Sequence, residues 1–266
     1  MGRRTQSRDT DSGVKSYIIL PDMHVRASRQ GGLDLRTWDA VLRFIDDHVW
    51  DGVVQLGDLG DWNCISSHNA KTPRLVEGER IQAEFDEINS TLWQIRDTVG
   101  DKAQMWVIEG NHDWRVQHYI DGNPQLEGSI EYVNKVPFSE LRCGWVPYWS
   151  TGETMELGKL TIIHGRYTSK HHEARHLEEY GCSLLTGHNH DVQQFSKTAR
   201  GDNKTYTSQS IGTLSVYDPY WMKGRPNKWQ QAFAEVAVFP DGFFNYWVTQ
   251  VFKHRFVSGD GKVYQG

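Results

Sequence analysis

Short apolar runs alternate with longer amphipathic stretches through the first half of the chain. Tyr17-Ile18-Ile19-Leu20 is an unbroken apolar run stopped by Pro21, which predicts a buried strand. From Leu35 to His48, the residues Leu35, Trp38, Val41, Leu42 and Ile45 recur at helical spacing. Val53-Val54-Gln55-Leu56 predicts a second strand, ended by Gly57. Glu77 to Val99 is a long helical pattern, with Ile81, Phe85, Ile88, Leu92 and Ile95 on one face. Met105-Trp106-Val107-Ile108 predicts a third strand, ended by Gly110. Strands separated by amphipathic helices imply parallel pairing through crossovers.

The pattern then changes. Asp113 to Pro147 mixes Gly, Pro and aromatic residues without a firm period and reads as a helical insertion. Strands are predicted at Leu160–Ile163 and Ser183–Thr186, with a helix over Ser169–Tyr180 stopped by Gly181. Further strands are predicted at Thr205–Ser210, Gln231–Phe239 and Phe243–Phe252, the last two joined by an Asp241-Gly242 turn. Crossovers come first and antiparallel strands dominate the end. An α/β architecture accommodates both: a four-layer αββα sandwich, two mixed sheets face to face with helices outside.

Composition narrows the class. With 266 residues, 38% hydrophobic and 24% charged, the chain suits one folded domain, neither disordered nor fibrous. The expected division is a disordered tail over residues 1–13 and a single domain over 14–266. A formal net charge of −5 argues against a wholly basic nucleic-acid coat, while leaving room for a local basic patch. Cys64, Cys143 and Cys182 are odd in number and widely spaced, so neither a disulfide framework nor a thiolate zinc site is expected. The polar start has no secretory apolar run, and Gln6 departs from a myristoylation signal. The expectation is a cytoplasmic protein with no membrane partner.

Five polar clusters each follow a predicted strand. They are Asp22-Met23-His24, Gly57-Asp58-Leu59-Gly60-Asp61, Gly110-Asn111-His112-Asp113, His164-Gly165 and Gly187-His188-Asn189-His190. Carboxyl ends of strands in open α/β sheets converge on one crevice. Carboxylate, imidazole and amide oxygen suit Mn, Fe, Zn or Ni. The donors number about twice what one tetrahedral ion needs, so a pair of divalent ions is the natural reading.

Taken in order, these five motifs resemble those of the calcineurin-like metallophosphoesterase superfamily, and in particular its stand-alone phage and bacterial members. The resemblance runs from Asp22 to His190 with no ligand position substituted. It implies facing sheets flanked by helices. It also implies one ion on Asp22, His24, Asp58 and His190, and a second on Asp58, Asn111, His164 and His188, so that Asp58 bridges. Mn is the expected metal, with Fe, Zn, Ni or Mg as alternatives. The implied reaction is in-line attack of a metal-bridging hydroxide on a phosphodiester, with His112 as general acid and Asp61 as its orienting partner. Asp113 is expected to support the turn. The expected substrate is DNA, RNA or a nucleotide. A phosphomonoesterase is the rival within the class, and a metal-stabilised binding or assembly module without turnover is the rival outside it.

Other positions invite weaker readings. Arg166 follows His164 by two residues and is a candidate phosphate contact. His68 is a candidate pocket residue, balanced against a plain loop histidine. His171, with His172 and His176, sits on a helix that also carries Lys170 and Arg175. The three histidines invite a third metal or a phosphate clamp, but a solvated helical face is the expectation there, with His171 kept as a candidate substrate contact. Tyr217 to Trp229 interleaves Tyr217, Tyr220, Trp221 and Trp229 with Lys223, Arg225 and Lys228, a pattern that can stack bases and track phosphates. Lys223 and Arg225 are therefore candidate contacts, against the plainer expectation of an aromatic cluster closing the sandwich. Cys64 is expected to be an unreactive packing residue.

Overall fold

The computed structural model describes residues 12–28, 31–69, 71–200, 204–219 and 222–266. Most of the expected tail, residues 1–11, lies outside them, as do Tyr220 and Trp221. β1 (Lys15–Leu20) leads through α1 (Leu35–Asp47) to β2 (Gly52–Gln55), and α2 (Ile81–Val99) leads on to β3 (Gln104–Ile108). Then come α3 (Trp114–Gly122), α4 (Tyr132–Lys135), β4 (Cys143–Val146) and α5 (Tyr148–Thr151). β5 (Met155–Leu157) and β6 (Leu160–Ile163) follow, and α6 (His172–Tyr180) connects to β7 (Ser183–Thr186). The chain continues through β8 (Gln194–Thr198), β9 (Thr205–Ser210), β10 (Ala232–Val238) and β11 (Phe244–Gln250). β12 (Arg255–Val257) and β13 (Val263–Gln265) form a final hairpin.

Two mixed sheets result. The first has the order β11-β10-β1-β2-β3-β4, parallel from β1 to β4 and antiparallel at β10 and β11. The second runs β5-β6-β7-β9-β8, with its parallel pairs in the centre. Alternation along β1 assigns each face: Ile18 and Leu20 join the core beneath the helices, while Tyr17 and Ile19 join the core between the sheets. That second core also takes Val54 and Leu56 from the first sheet and Leu160, Ile162, Leu184 and Leu185 from the other. With α1 and α2 outside one sheet and α6 against the other, the protein is an αββα sandwich.

α1 forms as its sequence predicts. The Asp34 side chain caps it by accepting from the backbone N–H of Arg36 and Thr37. Trp38, Val41, Phe44 and Ile45 are buried on its inner face. Phe44 anchors the final hairpin, with ring centroids 5.6 Å from Phe256 and 5.3 Å from Tyr264. Truncating such a ring costs about 3–5 kcal/mol.

Two expectations need correction. The stretch 113–147 is not only helical, because Cys143–Val146 is the edge strand β4, paired to β3. Its Cys-Gly-Trp-Val sequence shows no polar alternation, since Cys143 and Trp145 pack on the core beneath the helices while Val146 joins the core between the sheets. The exposed edge strand β8 also has no apolar face to betray it; all five of its residues are exposed. The long helix starts at Ile81 rather than Glu77, following a short 3-10 turn over Pro73–Val76.

Candidate metal centre

Every one of the five clusters begins within three residues of a strand's end, at β1, β2, β3, β6 and β7. The chain turns sharply there. Asp22, His24, Asp58, His188 and His190 all have positive φ, between 41° and 70°. Non-glycine residues adopt that region rarely and at a cost of about 1–3 kcal/mol each, and such strain concentrates at functional sites. Backbone bonds lash the first two motifs together: His24 N–H donates to Asp58 O at 2.9 Å and Val25 N–H to Leu59 O at 2.7 Å.

The motif glycines leave room for the donor carboxylates. A Cβ on Gly110 would stand 2.2 Å from Asp58 Oδ1, and one on Gly187 would stand 2.3 Å from Asp22 Oδ2. Neither site admits a side chain without moving a carboxylate.

Two donor sets converge. Asp22, His24, Asp58 and His190 form one, all buried; Asp58, His164 and His188 form another. Asn111 joins the second, its Oδ1 lying 3.1 Å from His164 Nε2. The two oxygens of Asp58 face different sides. Oδ1 lies 3.4 Å from His164 Nε2, and Oδ2 lies 3.7 Å from His24 Nε2.

The donor chemistry fits cations. His24 Nδ1 faces Asp61 Oδ1 at 3.3 Å, and His164 Nδ1 faces the Leu56 carbonyl at 3.0 Å. Each acceptor takes the proton of Nδ1 and turns an Nε2 lone pair inward. There His24 Nε2 meets His190 Nε2 at 3.0 Å, and His190 Nε2 lies 3.2 Å from Asp22 Oδ1. Lone pairs and carboxylate oxygens so close together call for shared positive charge. The titration tendencies agree. Burial opposes the His164 imidazolium, but the Asp58 charge outweighs it and raises the group to about 10. Burial, reinforced by the neighbouring His164, lowers His188 to about 3. Burial works against the Asp58 carboxylate, yet His164 and His112 hold it well below the usual range.

Asp61 and His112 flank these donors. His112 Nδ1 lies 3.1 Å from Asp61 Oδ1 and 3.0 Å from the Asp61 carbonyl. Its Nε2 lies 3.9 Å from Asp58 Oδ2. Asp61 also contacts His24, Arg26 and Asn63, so one carboxylate orients the His24 and His112 imidazoles together. Asp113 stands apart from the donors. It accepts from the backbone N–H of Leu59, Gly60 and Gly110 and from the Tyr132 hydroxyl, pinning the second motif to the third. Burial and the nearby Asp58 charge raise it to about 6.

A cleft of about 340 Å³ opens beside the donors, lined by His24, Asp61, His112, His190, His68 and Trp229 among others. His68 therefore reaches the cleft. The other weaker candidates do not line it. The Arg166 guanidinium donates to the carbonyls of Tyr148 and Trp149. His171 is exposed at the start of α6, and Lys223 and Arg225 are exposed. From the same loop, Trp229 packs edge-on to His190 at 4.3 Å, and Lys228 pairs with Asp191 at 3.0 Å. Cys64 is packed, and burial pushes its thiol up to about 12.

The solvated face expected for α6 is wrong. His172, Glu173 and His176 are completely buried. His172 spans two carboxylates, 2.8 Å from Glu173 Oε1 and 3.0 Å from Asp191 Oδ1. Thr186 and Ser208 hydroxyls donate to Glu173. His176 Nε2 accepts from the backbone N–H of Arg166 at 3.0 Å. The helix thus grips the loop after His164 and the residue after His190. Helical period alone could not show this, because the sheet beneath α6 presents Thr and Ser rather than apolar residues.

Sequence reasoning also missed Glu84 and Arg115. Glu84 accepts from the backbone N–H of Asp61 and Trp62, and burial raises its carboxyl to about 8. Arg115 lines the cleft beside His112. The three-residue step from His112 to Arg115 at the start of a helix was the available signal.

No family model matches the chain. It is similar to the Gene 54 proteins of Mycobacterium phage L5 and Mycobacterium phage D29. Each is 24% identical over 240 residues, which covers 84% of this chain and 89% of the relative. Among solved structures, the NAD nucleotidase NadN of Haemophilus influenzae aligns with 95% of this chain at a TM-score of 0.37 and 9% identity. The chain spans about half of that protein, 53%. No helix among the described residues is long and apolar enough to cross a membrane.

Proposed function

We propose that the protein is a dinuclear-metal phosphoric ester hydrolase of the calcineurin-like type, acting on phosphodiesters of a nucleotide or nucleic acid. The observation that carries this reading is the pair of donor sets sharing Asp58, with His112 beside them. Asp22, His24, Asp58 and His190 would hold one ion, and Asp58, Asn111, His164 and His188 the other. Mn is the first choice, since it accepts a thiolate-free set that mixes carboxylate and amide oxygens with imidazole nitrogens. Ions held there supply charge neutralisation for a phosphoryl group and a water activated near neutral pH.

The chain's own residues do the rest. Asp61 and the Leu56 carbonyl fix the tautomers of His24 and His164. Asp61 keeps His112 Nδ1 protonated, so Nε2 is the nitrogen that faces the cleft and exchanges a proton with the leaving oxygen. The cleft volume falls in the range of small-ligand sites, about 300–1,000 Å³, and suits one nucleotide unit beside the ions.

The test is a screen of the Mn-supplemented protein, with a chelator control, against bis-p-nitrophenyl phosphate, p-nitrophenyl phosphate, dinucleotides, DNA and RNA. Chelator-sensitive cleavage of diesters is expected. Preference for the monoester, with nucleic acids and dinucleotides untouched, would move the assignment to a phosphomonoesterase. No turnover of any ester would favour a metal-stabilised binding module.

A further inference from the structure

We propose that Arg115 is a phosphoryl-oxygen contact of this site, binding the substrate's anionic group next to His112. The proposal rests on the phosphoesterase reading and adds to it a residue that none of the five motifs contains.

Other arginines in this protein, the buried Arg26 and Arg96 and the exposed Arg166, spend their charge within the fold. Arg26 pairs with Asp61 and Glu79. Arg96 spends its donors on the carbonyls of Leu141, Gly100, Ala103 and Arg142. Arg166 gives two bonds to carbonyls and lies over the rings of Tyr148 and Trp149. Each of these has a structural use. Arg115 is different. Nη1 donates to the Asp61 carbonyl at 2.7 Å, and Nη2 faces His112 Nε2 at 2.9 Å. Among the described residues no carboxylate lies within ion-pair distance of it.

The second bond defines the position. A guanidinium only donates, so His112 Nε2 accepts, in keeping with an Nδ1 proton shared with Asp61. Arg115 therefore sits at the one nitrogen of His112 that faces the cleft. Any group arriving there to meet His112 meets the guanidinium as well. A phosphoryl oxygen is the natural acceptor. Arg donors match phosphate geometry, and a charge-assisted bond exceeds one to a neutral imidazole. Transfer of Nη2 from His112 to the phosphoryl oxygen also frees Nε2 to carry its proton.

Position supports rigidity. Arg115 is in the first turn of α3, and the preceding residues are held by Asp113 through the backbone of Gly60 and Gly110. The guanidinium is thus anchored at Nη1 while Nη2 stays exchangeable. Such an arrangement orients an anion instead of merely attracting it.

The experiment uses the Mn-loaded full chain and compares wild type, Arg115→Met and Arg115→Lys. Three readouts are taken: bound metal, the Kd for inorganic phosphate by titration calorimetry, and diester kcat/KM. Arg115→Met is expected to keep two metal equivalents while raising the phosphate Kd about 10-fold or more, the usual range for a lost charge-assisted bond. Arg115→Lys is expected to recover part of that loss. Unchanged phosphate affinity in Arg115→Met, with metals intact and wild type active, overturns the role of Arg115 alone. A wild type that binds metal but neither phosphate nor any ester overturns the phosphoesterase reading with it. If Arg115→Met loses its fold by circular dichroism, Arg115→Gln, which removes the charge but keeps a polar side chain, decides: wild-type phosphate affinity at wild-type metal content would overturn the contact.

Discussion

At the scale of single residues, Asp58 concentrates the site. Its backbone is in the left-handed region, its oxygens face opposite donor sets, and its Oδ1 accepts from the backbone N–H of His112 at 2.8 Å. Asp58→Asn replaces one of those charged oxygens with a donor. Both ions should bind more weakly, with less than one equivalent retained after desalting by elemental analysis. Two full equivalents in that variant would overturn the bridging role proposed for Asp58. The type of each candidate donor was legible in sequence, because a carboxylate or imidazole after a strand has a recognisable spacing. Arg115 was not, because arginine is common on helices, and its three-residue step from His112 gains meaning only from the contact between them.

At the scale of elements, α6 is the instructive case. It carries no catalytic motif, yet its buried face braces two of the ligand loops. Glu173 is surrounded by His172, Thr186 and Ser208. Burial pushes its carboxyl up, but His172 and His176 beside it pull it down to about 2. Its folded value thus lies below the ordinary one near 4.5. The stability it contributes is fully present above about pH 4.5 and is lost as pH falls toward 2. The shift corresponds to roughly 3 kcal/mol. Chelator-treated Glu173→Gln should therefore unfold at lower urea than the wild type at pH 6. The gap in midpoints should close steadily between about pH 4.5 and 2. A gap independent of pH would mean that shape, and not charge, is what Glu173 supplies. The helix itself was predicted from its sequence. Its burial was hidden, because His and Glu normally signal solvent and only the hydroxyl-bearing sheet below makes them a core.

At the scale of the whole molecule, the donors come from both sheets. Asp22, Asp58 and Asn111 follow strands of the first sheet, and His164, His188 and His190 follow strands of the second. Ions bound between them would tie the sheets together in the native state only, and ligands that bind the native state stabilise by mass action. Adding Mn to chelator-treated protein should raise Tm by several degrees, with dependence on Mn concentration. Calcium should do so less, since it prefers more oxygen ligands than this His-rich set provides. A Tm indifferent to Mn would show that the two sheets hold the site without help.

The alternation of β1, α1, β2, α2 and β3, the parallel pairing of those three strands, and the types of the motif residues after each strand were legible in local sequence. Apolar periodicity and turn residues act over a few positions, so they can be read without the fold. What the tertiary structure alone decided was proximity between distant segments. His24 meets His190 across 166 positions, β4 completes a sheet from within an unpatterned stretch, and α6 turns histidines inward. Those outcomes depend on which surfaces face each other after the sheets pack, and no short window of sequence carries that information.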